Sequence, residues 1–181
     1  MAPSFEPDAV MGFFTRSATN IAAAGKAAGL GHYVVLSIVG VDGLPDSPYM
    51  RAKVAQERVI TESGRPYSIM RATQFSEFTA DIVDSLTVGH EVRVPEALIQ
   101  PVPADEVAAA IARTAVGEPV NGIVNLGGPR SITFAEMARD VLALKGDNVG
   151  SVIVDPDARY FGAVLRAHSL VTTDVTDGEE S

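Results

Sequence analysis

Apolar positions along residues 8–28 recur with the period of a helix: Val10, Phe13, Phe14, Ala18, Ile21 and Ala24 or Ala28. That spacing predicts an amphipathic helix capped by Asp8 and closed by Gly29. The run "HYVVLSIVG" then switches to consecutive β-branched and apolar residues, so Tyr33–Val39 reads as a strand buried on both faces, as in a parallel sheet. "DGLPDSP" is turn chemistry, and Ser47 with Pro48 opens a helix that Gly64 ends. "PYSIMRA" is a second buried strand, followed by a helix over 76–86. "EVRVPEALIQPV" is extended, with prolines that suit an edge or a loop. A helix in "PADEVAAAIARTAVG", a strand in "NGIVNLGG", a helix opened by the capping box Thr133 and Glu136, and a last strand in "VGSVIVD" complete the series. Strands alternating with helices imply βαβ units, hence an α/β fold with a parallel sheet flanked by helices.

Composition narrows the partners more than the fold. The 181 residues are 46% hydrophobic and 20% charged, within the range of one globular domain. A net charge of −9 and a pI near 4.7 repel phosphate backbones, which argues against nucleic acid and anionic membrane as partners. No apolar run approaches the roughly 20 residues that span a bilayer. The start "MAPSFEPDAV" lacks the basic region of a secretory signal, so a cytoplasmic protein is expected. Cysteine is absent, which removes disulfides and thiol chemistry. His32, His90 and His168 have no metal-ligand spacing, so no metal is expected. Acidic, apolar-poor residues 171–181 read as a disordered tail beyond a single domain at 1–170.

One stretch carries chemistry. In "SPYMRAKVAQE", Tyr49 and Lys53 stand four residues apart and share a helix face. A phenol has a pKa of about 10 and needs a neighbouring cation to exchange protons near neutrality. Ser37, on the preceding strand, is placed to hydrogen-bond a substrate oxygen that Tyr49 protonates. The bland alternatives are a surface Tyr/Lys neighbourhood and a buried serine bonded to backbone. Phe13, Phe14, Phe75 and Phe78 read first as core, and Arg71 as an anchor for carboxylates or loop carbonyls.

Ser37 followed by Tyr49-x-x-x-Lys53 resembles the catalytic set of the short-chain dehydrogenase/reductase superfamily. "NIAAAGKAAGLGHYVVLSIVG" is similar to the helix and strand before that set in extended and atypical members. "YSIMRATQFSEF" and the segment "IQPVPADEVAAAIARTAVGEPVNGIVNLGGPRSITFAEMARDVL" resemble NmrA-like members, so the likeness runs over about residues 5–165. The resemblance implies an NAD(P)-dependent oxidoreductase acting on a small carbonyl or hydroxyl substrate, with NAD or NADP as cofactor. It implies Tyr49 as acid or base, Lys53 as the group that lowers its pKa and holds the nicotinamide ribose, and Ser37 as the orienting hydroxyl. Ala72, Thr73, Gln74 and Phe75 would line the nicotinamide side, and Asn20 sits where the family often has an asparagine.

No glycine-rich strand–turn–helix of the kind that binds pyrophosphate precedes Ser37. The fold expected is therefore an incomplete Rossmann-like sheet whose first strands are missing. Two functions stay open: an oxidoreductase, or a cofactor-free remnant serving as a cyclase, isomerase or binding module. A bared edge along "YVVLSIV" predicts a homodimer or other oligomer that covers it.

Overall fold

The computed structural model describes residues 6–146 and 151–174. Helix α1 (Pro7–Ala27) starts one residue earlier than its apolar pattern suggests, because Pro7 takes the first helical position. Its N-cap is Glu6, with no side-chain bond, so Asp8 sits in the first turn rather than capping. Gly29, at φ 70°, ends it as expected. Strand β1 (Tyr33–Ile38) follows, then α2 (Pro48–Thr61), whose N-cap Ser47 accepts the Met50 N–H at 3.3 Å. Strand β2 (Tyr67–Ala72) leads through a 3-10 turn at Ser76–Phe78 into α3 (Thr79–Ser85), splitting the single helix expected there.

The remaining elements are β3 (Thr87–Val88), β4 (Glu91–Val94), β5 (Leu98–Ile99), α4 (Ala104–Val116), β6 (Gly122–Leu126), β7 (Ile132–Thr133), α5 (Phe134–Lys145), β8 (Ser151–Val154), β9 (Arg159–Tyr160) and β10 (Ala163–Val164). The Thr133–Glu136 capping box is formed in full.

The parallel sheet has the order β1-β2-β6. Strand β2 is central and almost wholly buried, as its sequence predicts. Strand β1 is an edge strand among the described residues, in line with the bared edge expected along it, but it is not buried on both faces: only Tyr33 and Ser37 within it are fully buried. Tyr33 N–H donates to Pro66 O, just before β2, at 3.0 Å and Val39 N–H to Ala72 O at 2.9 Å, so odd-numbered residues face β2 and the backbone of Val34, Leu36 and Ile38 faces outward.

Elsewhere the chain makes smaller sheets. Strand β4 lies between β3 and β8, not at an edge, and Pro95 marks its end, where the proline costs no ladder bond. Strand β8 pairs parallel with β4 rather than extending the main sheet. It is also not the last strand, because the β9–β10 hairpin follows it. The larger core cluster packs α3 and α5 against these strands around Phe134, Met50, Ile99 and Val94. Helix α1 lies along α2, burying Val10 and Ala18. Residues 171–174 are tied down: Thr172 N–H donates to Gln100 Oε1 at 2.9 Å, and Gly127 N–H to the Asp174 carbonyl at 2.8 Å. The acidic segment from 175 onward lies outside the described residues.

Register aligns Ile38 with Ala72 and Ala72 with Leu126, so the carboxyl ends of all three parallel strands meet on one side. Open α/β sheets bind ligands at that end.

Candidate functional site

At that end lies a cleft of about 230 Å³. Its lining includes Ser37, Tyr49 and Lys53, and also Ala72, Thr73, Gln74 and Phe75. Three separate stretches therefore converge there: the end of β1, the first turns of α2, and the segment leaving β2. Asn20 is exposed on α1 and does not line the cleft.

Helix α2 presents Tyr49, Lys53 and Glu57 at successive steps of four, on one face. Glu57 anchors that face. Its carboxylate receives two bonds from Arg71 on β2, Nε at 3.0 Å and Nη2 at 2.8 Å, while Arg71 Nη1 reaches Asp42 at 3.1 Å. Arg71 and Glu57 are both buried, so this forked pair pins the helix to the central strand. Arg71 thus binds carboxylates, as its surroundings in sequence suggest, and does not line the cleft.

Two polar atoms in the lining are buried without a hydrogen-bond partner, Ser37 Oγ and Gln74 Oε1. Buried polar groups are rarely left so, and a pair of them in one cleft suits a ligand that pairs with both. The neighbouring backbone is rigidly placed. Thr73 N–H donates to Leu126 O, its hydroxyl donates to Gln100 O, and Val102 N–H donates to Gln74 O.

The electrostatics depart from the simple expectation for a Tyr/Lys pair. Burial raises the Tyr49 phenol above its ordinary value. Burial also lowers Lys53 to about 8, against a smaller upward pull from Glu57. Lys53 Nζ donates to Leu36 O at 2.8 Å and to Gln56 Oε1, and stands over the Phe14 ring at 4.9 Å from its centroid. Tyr49 is held as a protonated phenol at neutral pH, the form that gives up a proton rather than takes one.

Sequence reasoning reads the phenylalanines first as core, although the resemblance already puts Phe75 at the nicotinamide side, and it passes over other residues that shape this cleft. Phe75 and Phe78 line it, their rings 5.7 Å apart, with Phe78 half exposed. Tyr160 and Phe161 line it from the β9–β10 hairpin, and Phe161 stacks on Tyr49 at 5.5 Å. The only sequence signal for the hairpin is the Phe161-Gly162 turn between two-residue strands, too short to show a period. Among the described residues no group of three or more carboxylates or histidines is placed to hold a metal ion. No helix there is long and apolar enough to cross a membrane.

No family model matches the chain, and no curated protein matches its sequence. Solved structures do. An NADPH-dependent quinone oxidoreductase from Escherichia coli superposes with a TM-score of 0.64 at 18% identity, over 84% of this chain and 59% of that one. A dTDP-glucose 4,6-dehydratase from Streptomyces venezuelae, solved with NAD and TYD bound, gives 0.65 at 19% identity, over 87% and 58%. The Bordetella bronchiseptica enzyme WbmH, in complex with NAD+, gives 0.67 at 17% identity, over 92% and 64%. The chain spans about three fifths of the length of these proteins. What they establish is the fold: an α/β structure whose parallel sheet and flanking helices match those of Rossmann-like reductases and dehydratases.

Proposed function

We propose that this chain carries the substrate-reducing part of an NAD(P)-dependent oxidoreductase of the short-chain dehydrogenase/reductase type, acting on a small carbonyl or hydroxyl compound. The observation that carries the reading is the gathering of Ser37, Tyr49, Lys53 and the Ala72–Phe75 segment around one cleft, with Ser37 Oγ buried and unpartnered. The cleft is smaller than the roughly 300–1,000 Å³ of most ligand pockets, so it suits a ring-sized group and not a whole dinucleotide. Its donors and acceptors fit the nicotinamide end, with Ala72, Thr73, Gln74 and Phe75 beside the ring.

A bound nicotinamide would supply a hydride to the substrate carbon. The chain's own residues do the rest. Ser37 Oγ–H donates to the carbonyl oxygen and holds it. Tyr49, kept protonated by burial, gives its proton to that oxygen as negative charge builds there. Water restores the proton to the phenolate. Lys53, with a pKa near 8, is partly charged at working pH and favours the phenolate for as long as it exists.

A second reading is a cofactor-free isomerase or cyclase that uses Tyr49 as its acid. It is favoured by one observation: the Lys53 amine is already taken up by Leu36, Gln56 and Phe14. Titration with NAD(H) and NADP(H) by thermal shift separates the two. A cofactor at 100 times its dissociation constant adds about 2.7 kcal/mol, worth about 5–11 °C in a chain of this size. No shift with any of the four, alongside turnover of a carbonyl substrate without cofactor, overturns the oxidoreductase reading.

A further inference from the structure

Strands β9 and β10 pair so that Tyr160 faces Ala163, leaving Phe161 and Gly162 as a two-residue loop. Their φ values are 48° and 87°, both positive, as the type I′ turn requires. Glycine tolerates this at no cost, and asparagine is the usual first residue. A bulky phenylalanine there is an outlier, and such outliers cluster at ligand sites. Phe161 is 43% exposed at the cleft and stacks on Tyr49 with an interplanar angle of 26°, while meeting Tyr160 edge-on at 4.8 Å. A second ring pair, Phe75 and Phe78, lines the same cleft.

The polar lining is sparse: Ser37, Tyr49, Lys53, Thr73, Gln74 and Tyr160, with no arginine, histidine or carboxylate among the described residues around it. The one cation in the lining already donates to Leu36 O and Gln56 Oε1, so a multiply charged phosphate would find a single remaining N–H there. Gln74 Oε1 is a buried acceptor with nothing to accept.

We infer that the cleft takes a planar, uncharged aromatic carbonyl compound with a hydroxyl or N–H donor on its ring, and that Phe161 selects it by stacking. The position of the carbonyl, at Ser37 and Tyr49, rests on the oxidoreductase reading. The stacking does not. With no cofactor bound, Gln74 Oε1 receives the ring's donor.

Isothermal titration calorimetry of the full chain without cofactor tests this with three probes: para-hydroxyacetophenone, its saturated counterpart cyclohexyl methyl ketone, and UDP-glucose. The aromatic ketone binds best. Phe161→Asn, which suits the turn, melts no lower than wild type yet binds the aromatic ketone about three- to tenfold more weakly, the range expected for one lost ring–ring contact. Phe161→Tyr keeps the affinity. Should the Asn variant fail to fold, Phe161→Leu takes its place with the same expected loss. Absence of binding by the aromatic ketone, equal affinity in the Asn or Leu variant, or binding of either other probe as tight as the aromatic one overturns the proposal. Cofactor shifts without aromatic binding sink this inference alone. Aromatic binding that depends on Phe161, with no cofactor shift and with cofactor-free turnover of a carbonyl substrate, leaves it standing and sinks the oxidoreductase reading.

Discussion

Replacing Glu57 by glutamine keeps the shape of the side chain and removes its charge. The Arg71 side chain is 10% exposed, and two of its bonds, at 3.0 and 2.8 Å, end on the Glu57 carboxylate. In the variant, an amide NH2 faces one of those guanidinium donors, so one bond becomes a donor–donor contact. The buried charge is left with Asp42, which is 63% exposed and screened by water. Stripping a buried ion pair of one partner typically costs about 3–5 kcal/mol. At roughly 2–4 °C per kcal/mol for a chain of this length, the melting temperature falls by about 6–20 °C. Urea unfolding followed by circular dichroism reads the loss as a lower midpoint at constant slope. The double variant Glu57→Leu with Arg71→Met removes both charges and fills the same space, and it recovers most of the loss, since well-packed apolar replacements of a buried pair are often neutral or stabilising. A Glu57→Gln protein within about 0.5 kcal/mol of wild type would refute the argument, because that is what a surface pair gives.

Other outcomes follow from the same geometry. Tyr49→Phe keeps the fold and lowers carbonyl reduction by about 10²–10⁴-fold, measured as kcat with saturating cofactor; unchanged rates would place the acid elsewhere. The Lys53 pKa is about 8 folded against 10.5 for the free side chain, so between those values the unfolded chain holds a proton that the folded one has released. Stability therefore rises with pH from about 8, by an amount on the order of 3 kcal/mol if the window is crossed in full, and this rise is missing from Lys53→Met. Buried Tyr49 and Tyr160, both with raised pKa values, act in the opposite sense above about pH 10, so urea midpoints at pH 7 to 9.5 are the test. Sedimentation equilibrium at micromolar concentration should give a mass above the 19.0 kDa of one chain, and Val35→Lys should return it to monomer; a wild-type monomer would show that β1 is covered from within.

What could be read from residues alone tracks how local the determining physics is. Ser47, Pro48 and the Thr133–Glu136 box act within one turn, and the helices they open start where the sequence places them. The run at β2 is buried on both faces, so its composition suffices. The same composition at β1 misleads about burial, since an apolar run at a sheet edge leaves part of its surface uncovered. Strand β8 is paired by residues about sixty positions away, at β4. The pairing of Glu57 with Arg71 joins two elements whose spacing carries no periodic signal. That Ser37, Tyr49 and Lys53 share one cleft was legible because a strand end and a helix repeat set their places. The place of Phe161 in that cleft was not, because it depends on a left-handed backbone that its residue type argues against.

The amine of Lys53 rests on the Leu36 carbonyl, midway along the outward-facing rim of β1. The residue is only 7% exposed, so the bond fills one acceptor of that rim from within the chain. A cleft residue thereby also sets how many acceptors along the strand a second copy finds open. Any substitution made at Lys53 to silence the chemistry bares the Leu36 carbonyl, so a drop in specific activity has to be separated from a change in self-association.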